Sequence, residues 1–499
     1  MNNHLISLTV LFPLIGAISQ AFVPVPRSRW IALIASLAAS ACAVILVASM
    51  QTQTAEMQAI ESFPWVGAYA ISYEMAVDGL NALLVLLIAI LFPVLISAEW
   101  NQQVGVRGLH SLLLVLQTAL SGAVCAQDLF LQLFFWGLSA LPFYFLVGIW
   151  GGEGREKAAF RSTVAATVGN ALIFIALIIV YYSIDPHGFS IRELSGGKFA
   201  GQHFHFLGYD FQVSWVAFTL ISFGLALRAP VWPLHGWFIE MATEGPSTVF
   251  VALAAATVPV ATYIFLRICY CLFPDVLGTA SRIVLAVGAV NLIMGGVCAL
   301  SQRNLRSLLA YVCLSEVGIV MMGIGSLNAT GVVGSVFQQL ILGLALAGFG
   351  LFSGIISDRT GRSDFLNAQG QRTLGGIAVR APAVSVVAGV VIVSLLGFPG
   401  FGGFVGHSLV VIGSFSVHPF TLFMSGGALL LASYYLFNMY RNVFLGSPGS
   451  AVQGFQDLTL RERFYMAPVV CGLLFFGLYP KPLIELIRPT VLTLLSTVR

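Results

Sequence analysis

The sequence predicts an all-α integral membrane protein with about 14 transmembrane helices, and three observations carry that reading. Hydrophobic residues make up 58% of the 499-residue chain and charged residues only 9%, against about 25% charged in a soluble domain. Long apolar runs recur from the N-terminus to the last thirty residues, which leaves no stretch free for a sizeable water-soluble domain. Proline and glycine interrupt these runs at two related places. An ordinary cytosolic enzyme is excluded, and a net charge of only +3 excludes nucleic acid as a partner.

A helix needs about 20 apolar residues to cross about 30 Å of hydrocarbon. Fourteen segments meet that measure, at approximately 4–23, 30–50, 79–97, 109–126, 129–149, 163–183, 214–234, 248–272, 283–300, 308–326, 331–356, 384–413, 419–440 and 465–484. The first follows Met1-Asn2-Asn3-His4 with no basic n-region and no small-residue cleavage site, so it reads as a retained helix rather than a signal peptide. Connections after odd-numbered segments hold fifteen Lys and Arg, from Arg27 to Arg463. Connections after even-numbered segments, with the C-terminal tail, hold seven: Arg192, Lys198, Arg267, Arg282, Lys481, Arg488 and Arg499. Arg228 alone lies inside a span. By the positive-inside rule the odd connections face the cytoplasm and both termini the opposite side. The expected location is the bacterial inner (plasma) membrane, crossed many times.

Segment seven reads Leu227-Arg228-Ala229-Pro230-Val231-Trp232-Pro233, and segment twelve reads Gly397-Phe398-Pro399-Gly400-Phe401-Gly402-Gly403. Proline removes a backbone donor and glycine tolerates the irregular backbone that follows. Such breaks are tolerated at membrane depth where they are buried in protein or line a polar cavity. They fall five spans apart, and two blocks of five helices must sit upside down relative to one another. The pattern predicts two inverted five-helix repeats, helices four to eight and nine to thirteen, with helices seven and twelve broken. The chain then divides into an N-terminal three-helix segment (1–108), a first repeat (109–275), a second repeat (276–445) and a C-terminal helix segment (446–499). Two unrelated kinks in a large bundle remain the alternative.

No nucleotide loop, nucleophile elbow or metal-ligand cluster is present. The seven cysteines lie in or beside apolar segments and read as buried small hydrophobes, so no metal site is expected. What remains is the set of ionisable groups at membrane depth, which are costly there and so candidates for function. Arg228, Glu316, His407, His235, Glu240 and Glu244 form that set. Arg228 either pins the broken helix, through backbone carbonyls freed in segment seven, or sets a field. Glu316 is a neutral hydrogen-bonded acid or a proton relay. His407 carries a side chain of a type suited to proton transfer, or is simply hydrogen-bonded. Trp30, Trp100, Trp150, Tyr181 and Tyr182 lie at segment ends and read as an interfacial aromatic belt.

The segment Ala229-Pro-Val-Trp-Pro-Leu-His-Gly-Trp-Phe-Ile-Glu240, with Glu244-Gly-Pro246-Ser and Tyr263-Ile-Phe-Leu-Arg267, resembles the helix seven to eight signature of the antiporter-like subunits of respiratory complex I and Mrp-type cation/proton antiporters. The resemblance extends to Val77-Asp78-Gly79-Leu80, Asp128-Leu129-Phe130, Phe143-Tyr144-Phe145-Leu146, Leu309-Ala310-Tyr311 and the glycine-rich break Gly397–Gly406. It covers essentially the whole chain and is strongest to the subunit M (chain 4) branch, without the long C-terminal lateral helix of subunit L. The family moves protons along buried residues: a Glu in helix five paired with a Lys in helix seven, a Lys in helix eight, a His in helix eleven and a Glu or Lys in helix twelve. Here those positions hold Gly137, Arg228, Pro259, Leu342 and His407. Arginine stays charged and cannot carry protons, and three of the other positions cannot titrate. The resemblance therefore implies a relative of proton-translocating subunits whose own path is degraded or rerouted, with His407 and Glu316 left to exchange protons.

Two functions follow. One is a membrane-arm subunit of a complex-I-like NADH (or other donor):quinone oxidoreductase, with no cofactor in this chain and with flavin, iron–sulfur clusters and quinone carried by partner subunits. The other is the membrane subunit of an ion or inorganic-carbon transporter of the Mrp-related type without redox partners. In both the chain works in a hetero-oligomeric complex in the lipid bilayer. A purely structural scaffold is the weakest alternative.

Overall fold

Each of the fourteen apolar segments forms helix over most of its length, because a backbone in hydrocarbon has no water to satisfy its amides and must bond internally. The structure is a computed structural model that describes residues 4–206 and 208–498. Met1 to Asn3, ahead of the first segment, and Arg499, counted above with the C-terminal tail, lie outside the described residues. Among the described residues ten helices are long and apolar enough to cross a membrane, and the pair Leu460–Leu478 and Lys481–Ser496, bent by 73°, makes an eleventh. Segments one, seven and twelve supply only shorter helices: Leu5–Ser19, Val213–Ala226, Pro382–Leu395 and Gly402–Phe415. The chain is an integral membrane protein.

The core gathers round Ala329–Thr360, whose residues Gly331 to Ile356 are all buried. Segments three, eight, ten, twelve and fourteen pack against it. Segment eight carries a π-helical turn at Ala252–Thr257, directly before Pro259. Proline there removes a donor and crowds the carbonyl four residues back, which widens the preceding turn. The Thr257 hydroxyl donates to the Ala252 carbonyl, 3.2 Å away, within the same turn.

Both expected breaks are present. Segment seven leaves the helix after Ala226 and resumes it at Gly236, and segment twelve leaves after Leu395 and resumes at Gly402. Gly397 and Gly400 adopt φ of 63° and 92°, the left-handed region that favours glycine. The backbone freed in segment seven is satisfied by Asn291, a fully buried residue of segment nine. Its Oδ1 accepts from Trp232 N at 2.8 Å, and its Nδ2 donates to the carbonyls of Pro230 (3.2 Å) and Leu314 (2.8 Å). A Cβ on Gly403 would overlap the Ser394 carbonyl. Gly403→Ala should therefore destabilise the chain by about 1–3 kcal/mol, measured by thermal unfolding in detergent.

Three expectations need correction. The breaks do not lie wholly inside the bundle: Trp232, Pro233, Phe398 and Pro399 are exposed on the flank. The two prolines have no N–H to strand there, so this placement leaves no backbone donor unpaired at either of them. Arg267 does not belong to a connection. It lies in the helix Val258–Leu272, with Nη2 2.6 Å from Asp78 Oδ1 and both side chains buried. Asp78 also accepts from Leu80 N at 2.9 Å, while Tyr263 OH accepts from Arg267 Nε at 3.2 Å and donates to the Val124 carbonyl at 2.9 Å. The two motifs at Asp78 and Tyr263–Arg267 thus form one buried network. Finally, the chain is not helical throughout. Gln58–Val66 pairs with Ile71–Val77, and His203–Phe206 pairs with Tyr209–Gln212, both antiparallel. These hairpins sit in connections too short of apolar residues to signal in a search for spans. Asp128 ties the first hairpin to segment five, accepting from Ser72 N (3.1 Å) and Leu131 N (3.0 Å).

Candidate ion path

The ionisable residues expected at membrane depth separate into two buried clusters and three partly exposed residues. The first cluster centres on Glu316 and His407, which come from segments ten and twelve and are brought together by their packing on segment eleven. Glu316 Oε2 lies 2.9 Å from His407 Nε2 and 3.1 Å from Gln338 Nε2, and the two nitrogens are 3.0 Å apart. Both donate to the carboxylate when His407 carries its proton on Nε2. Gln338 Oε1 is buried without a protein partner and lies against Gly406, where a Cβ would strike it. Neither histidine nor carboxylate is alone, as the sequence had left open. They form a hydrogen-bonded unit able to hold one proton between them. Gln338 was missed because a glutamine in an apolar run carries no charge signal.

The second cluster surrounds Arg228, which is 4% exposed. Its guanidinium does not bond to carbonyls of its own broken helix. Nη1 donates to the Trp136 carbonyl at 2.7 Å and Nη2 to the Ser139 hydroxyl at 2.8 Å. These groups flank Gly137, and segment five itself divides here into Leu129–Leu138 and Ala140–Trp150. Arg228 Cζ also stands 3.9 Å above the Trp136 ring, an arrangement in which the negative face of the indole stabilises the cation. Among the described residues no carboxylate forms an ion pair with Arg228. Pro259 and Leu342 are buried, and no proton can rest on either.

Glu240 and Glu244 lie at the far end of segment seven. Glu240 pairs with Arg161 and stands 4.0 Å from Lys157, all partly exposed. Glu244 Oε2 accepts from Gly154 N at 2.8 Å and caps the turn before segment six. His235 is half-buried beside Tyr311, with ring centres 6.0 Å apart. None of these three contacts either cluster by a hydrogen bond. No group of three or more His, Cys, Asp and Glu among the described residues is arranged to hold a metal ion.

Comparison with known proteins places this geometry. The family model described as NADH:quinone oxidoreductase/Mrp antiporter, TM, matches residues 126–433, which span both broken helices and both buried clusters. NADH-quinone oxidoreductase subunit M of Rhodobacter capsulatus is 29% identical, over 98% of this chain and 96% of that protein. Respiratory complex I from Thermus thermophilus contains a chain of the same fold, with a TM-score of 0.88, 21% identity and 99% and 100% of the two chains covered. A chain of the Mrp complex from Dietzia sp. DQ12-45-1b shares the fold nearly as well, at a TM-score of 0.85, 19% identity and 100% and 99% coverage. The breaks, the buried polar clusters and the match over more than half the chain lead to one conclusion: the chain belongs to the NADH:quinone oxidoreductase/Mrp antiporter transmembrane family.

Proposed function

We propose that this chain is a membrane-arm subunit of a complex-I-like quinone oxidoreductase whose proton route through the first repeat is closed. The likeness to a subunit M along nearly the full length of both chains supports the assignment to such a complex. The observation that carries the closure is Arg228, held by a carbonyl and a hydroxyl beside Gly137 with no carboxylate opposite. A guanidinium keeps its charge under essentially all conditions, so it repels protons from the axis without passing them on. Glu316, Gln338 and His407 form the part of the second repeat that can still exchange a proton. Electron transfer and its flavin, iron–sulfur clusters and quinone belong on this reading to partner subunits. Affinity purification under mild detergent tests the assignment: co-purifying iron–sulfur subunits and donor-dependent quinone reduction are expected.

The second reading, an Mrp-related ion or inorganic-carbon transporter, is favoured by the fold shared with the Mrp complex and by the missing relay groups. Copurification of antiporter subunits or of a large soluble zinc protein, with no redox subunits, selects it instead.

The same proposal includes fourteen spans in two inverted repeats, with boundaries near residues 109, 276 and 446. Corresponding neighbours in each block approach through glycines, Gly169 against Gly224 and Gly331 against Gly413, as small residues allow in membranes. With Arg267 and Arg228 both inside spans, the asymmetry of fifteen to six in the connections and tail still favours non-cytoplasmic termini in a bacterial inner membrane. Single cysteines replacing Arg155 and Arg372 are expected to react with an impermeant thiol reagent from the cytoplasmic side only. Protection of either one from that side rejects the topology.

A further inference from the structure

Arg228 raises a problem of charge. A guanidinium buried at membrane depth without a counter-charge is unfavourable, and the hydrogen bonds to Trp136 O and Ser139 Oγ use only two of its five N–H donors. Beside it lies a small cavity of about 10 Å³, lined by Arg228, Trp237, Ser162, Phe143, Ala166 and Leu253. That volume is about the size needed to hold one water. The indole Nε1–H of Trp237 has no hydrogen-bond partner, and neither has that of Trp136, whose ring the guanidinium covers. The cavity thus joins a permanent cation to an unpaired donor, and the lining presents no carboxylate.

We propose that this cavity binds a single monatomic anion of chloride size, held by the Arg228 guanidinium and the Trp237 indole N–H. The chemistry selects the occupant. A water offers only its lone pairs to these donors and leaves the charge in place, whereas a halide accepts from several donors at once and neutralises it. Polyatomic anions such as sulfate or gluconate are too large for a space of one water-sized sphere. Chloride is larger than a water oxygen and enters only if the Phe143 and Leu253 side chains move outward, a far smaller enlargement than a polyatomic anion needs. The site is independent of the redox or transporter assignment, since it rests on the first-repeat geometry alone. With the anion in place, the plug at Gly137 is electrically neutral and closed by occupancy, and the guanidinium still passes no proton because it does not release one.

The test uses the intact purified assembly, melted at constant ionic strength in sodium chloride, sodium bromide and sodium gluconate. Ligand linkage predicts a higher unfolding temperature in chloride and bromide, by a few degrees and saturating with halide concentration. Arg228→Gln and Trp237→Phe should each abolish the difference between chloride and gluconate. If Arg228→Gln fails to assemble, Trp237→Phe still removes one donor while keeping the ring's packing. A structure of the unmodified assembly grown in bromide should show anomalous density in the cavity. Equal melting in all three salts with no bromide density overturns the proposal in favour of a bound water. So does a halide effect that persists unchanged in both variants.

Discussion

Replacing Arg267 with Met while keeping Asp78 should cost about 3–5 kcal/mol of stability, the loss seen when one partner of a buried ion pair is removed. The size follows from the surroundings. Both side chains are buried, at 3% and 2% exposure, so the orphaned carboxylate would keep only its bonds to backbone N–H groups such as Leu80 N. Arg267 also shares the Tyr263 hydroxyl that bonds the Val124 carbonyl, so the network between segments three, four and eight would lose its centre. Asp78→Asn combined with Arg267→Met removes both charges and should recover much of the loss, because no unpaired ion is then left buried. Chemical denaturation in mixed micelles measures both. A single-variant loss below about 1 kcal/mol would mean that the pair behaves as a solvated one.

The second large effect concerns protons. Glu316→Gln and His407→Ala should each slow proton exchange through this subunit by about 100-fold or more, as loss of a positioned acid–base group does. The double variant should be no slower than either single one. The two side chains are hydrogen-bonded at 2.9 Å and on the proposed reading act as one proton site, and residues that act as a unit are not additive. Gln338→Leu should give a smaller loss, since it removes a donor to Glu316 and leaves the Glu316–His407 pair intact. Arg228→Lys should leave both assembly and proton-to-electron stoichiometry unchanged, because on the proposed reading Gly137, Pro259 and Leu342 still leave the relay empty on either side. Reconstituted vesicles with a pH-sensitive dye report all five. A stoichiometry that collapses on Arg228→Ala with assembly preserved would falsify the closed first repeat.

The sequence by itself determined that this is a mostly helical membrane protein, and the chemical character of the side chains at Gly137, Arg228, Pro259, Leu342 and His407. Twenty-residue apolar runs have one solution in hydrocarbon, the helix, so fourteen such runs could be marked without knowing what any of them touches. The breaks in segments seven and twelve were equally legible, because Pro230, Pro233, Gly397 and Gly400 act on their own backbone. That Arg228 cannot deliver a proton, and that Gly137, Pro259 and Leu342 cannot hold one, is a property of the side chains wherever they lie. Only the tertiary structure decided who meets whom. Glu316 finds Gln338 22 positions away and His407 91 away, and Asp78 finds Arg267 across 189. Asn291 and Gln338 carry no charge and follow no period, so nothing local distinguishes them from any amide in an apolar helix. Their roles arise because a polar group in a membrane core must find its partner in another helix. The same reason moved the bonds of Arg228 from its own broken helix to Trp136 and Ser139. A guanidinium takes the nearest free acceptors in space, and folding, not chain order, puts the break in segment five beside it.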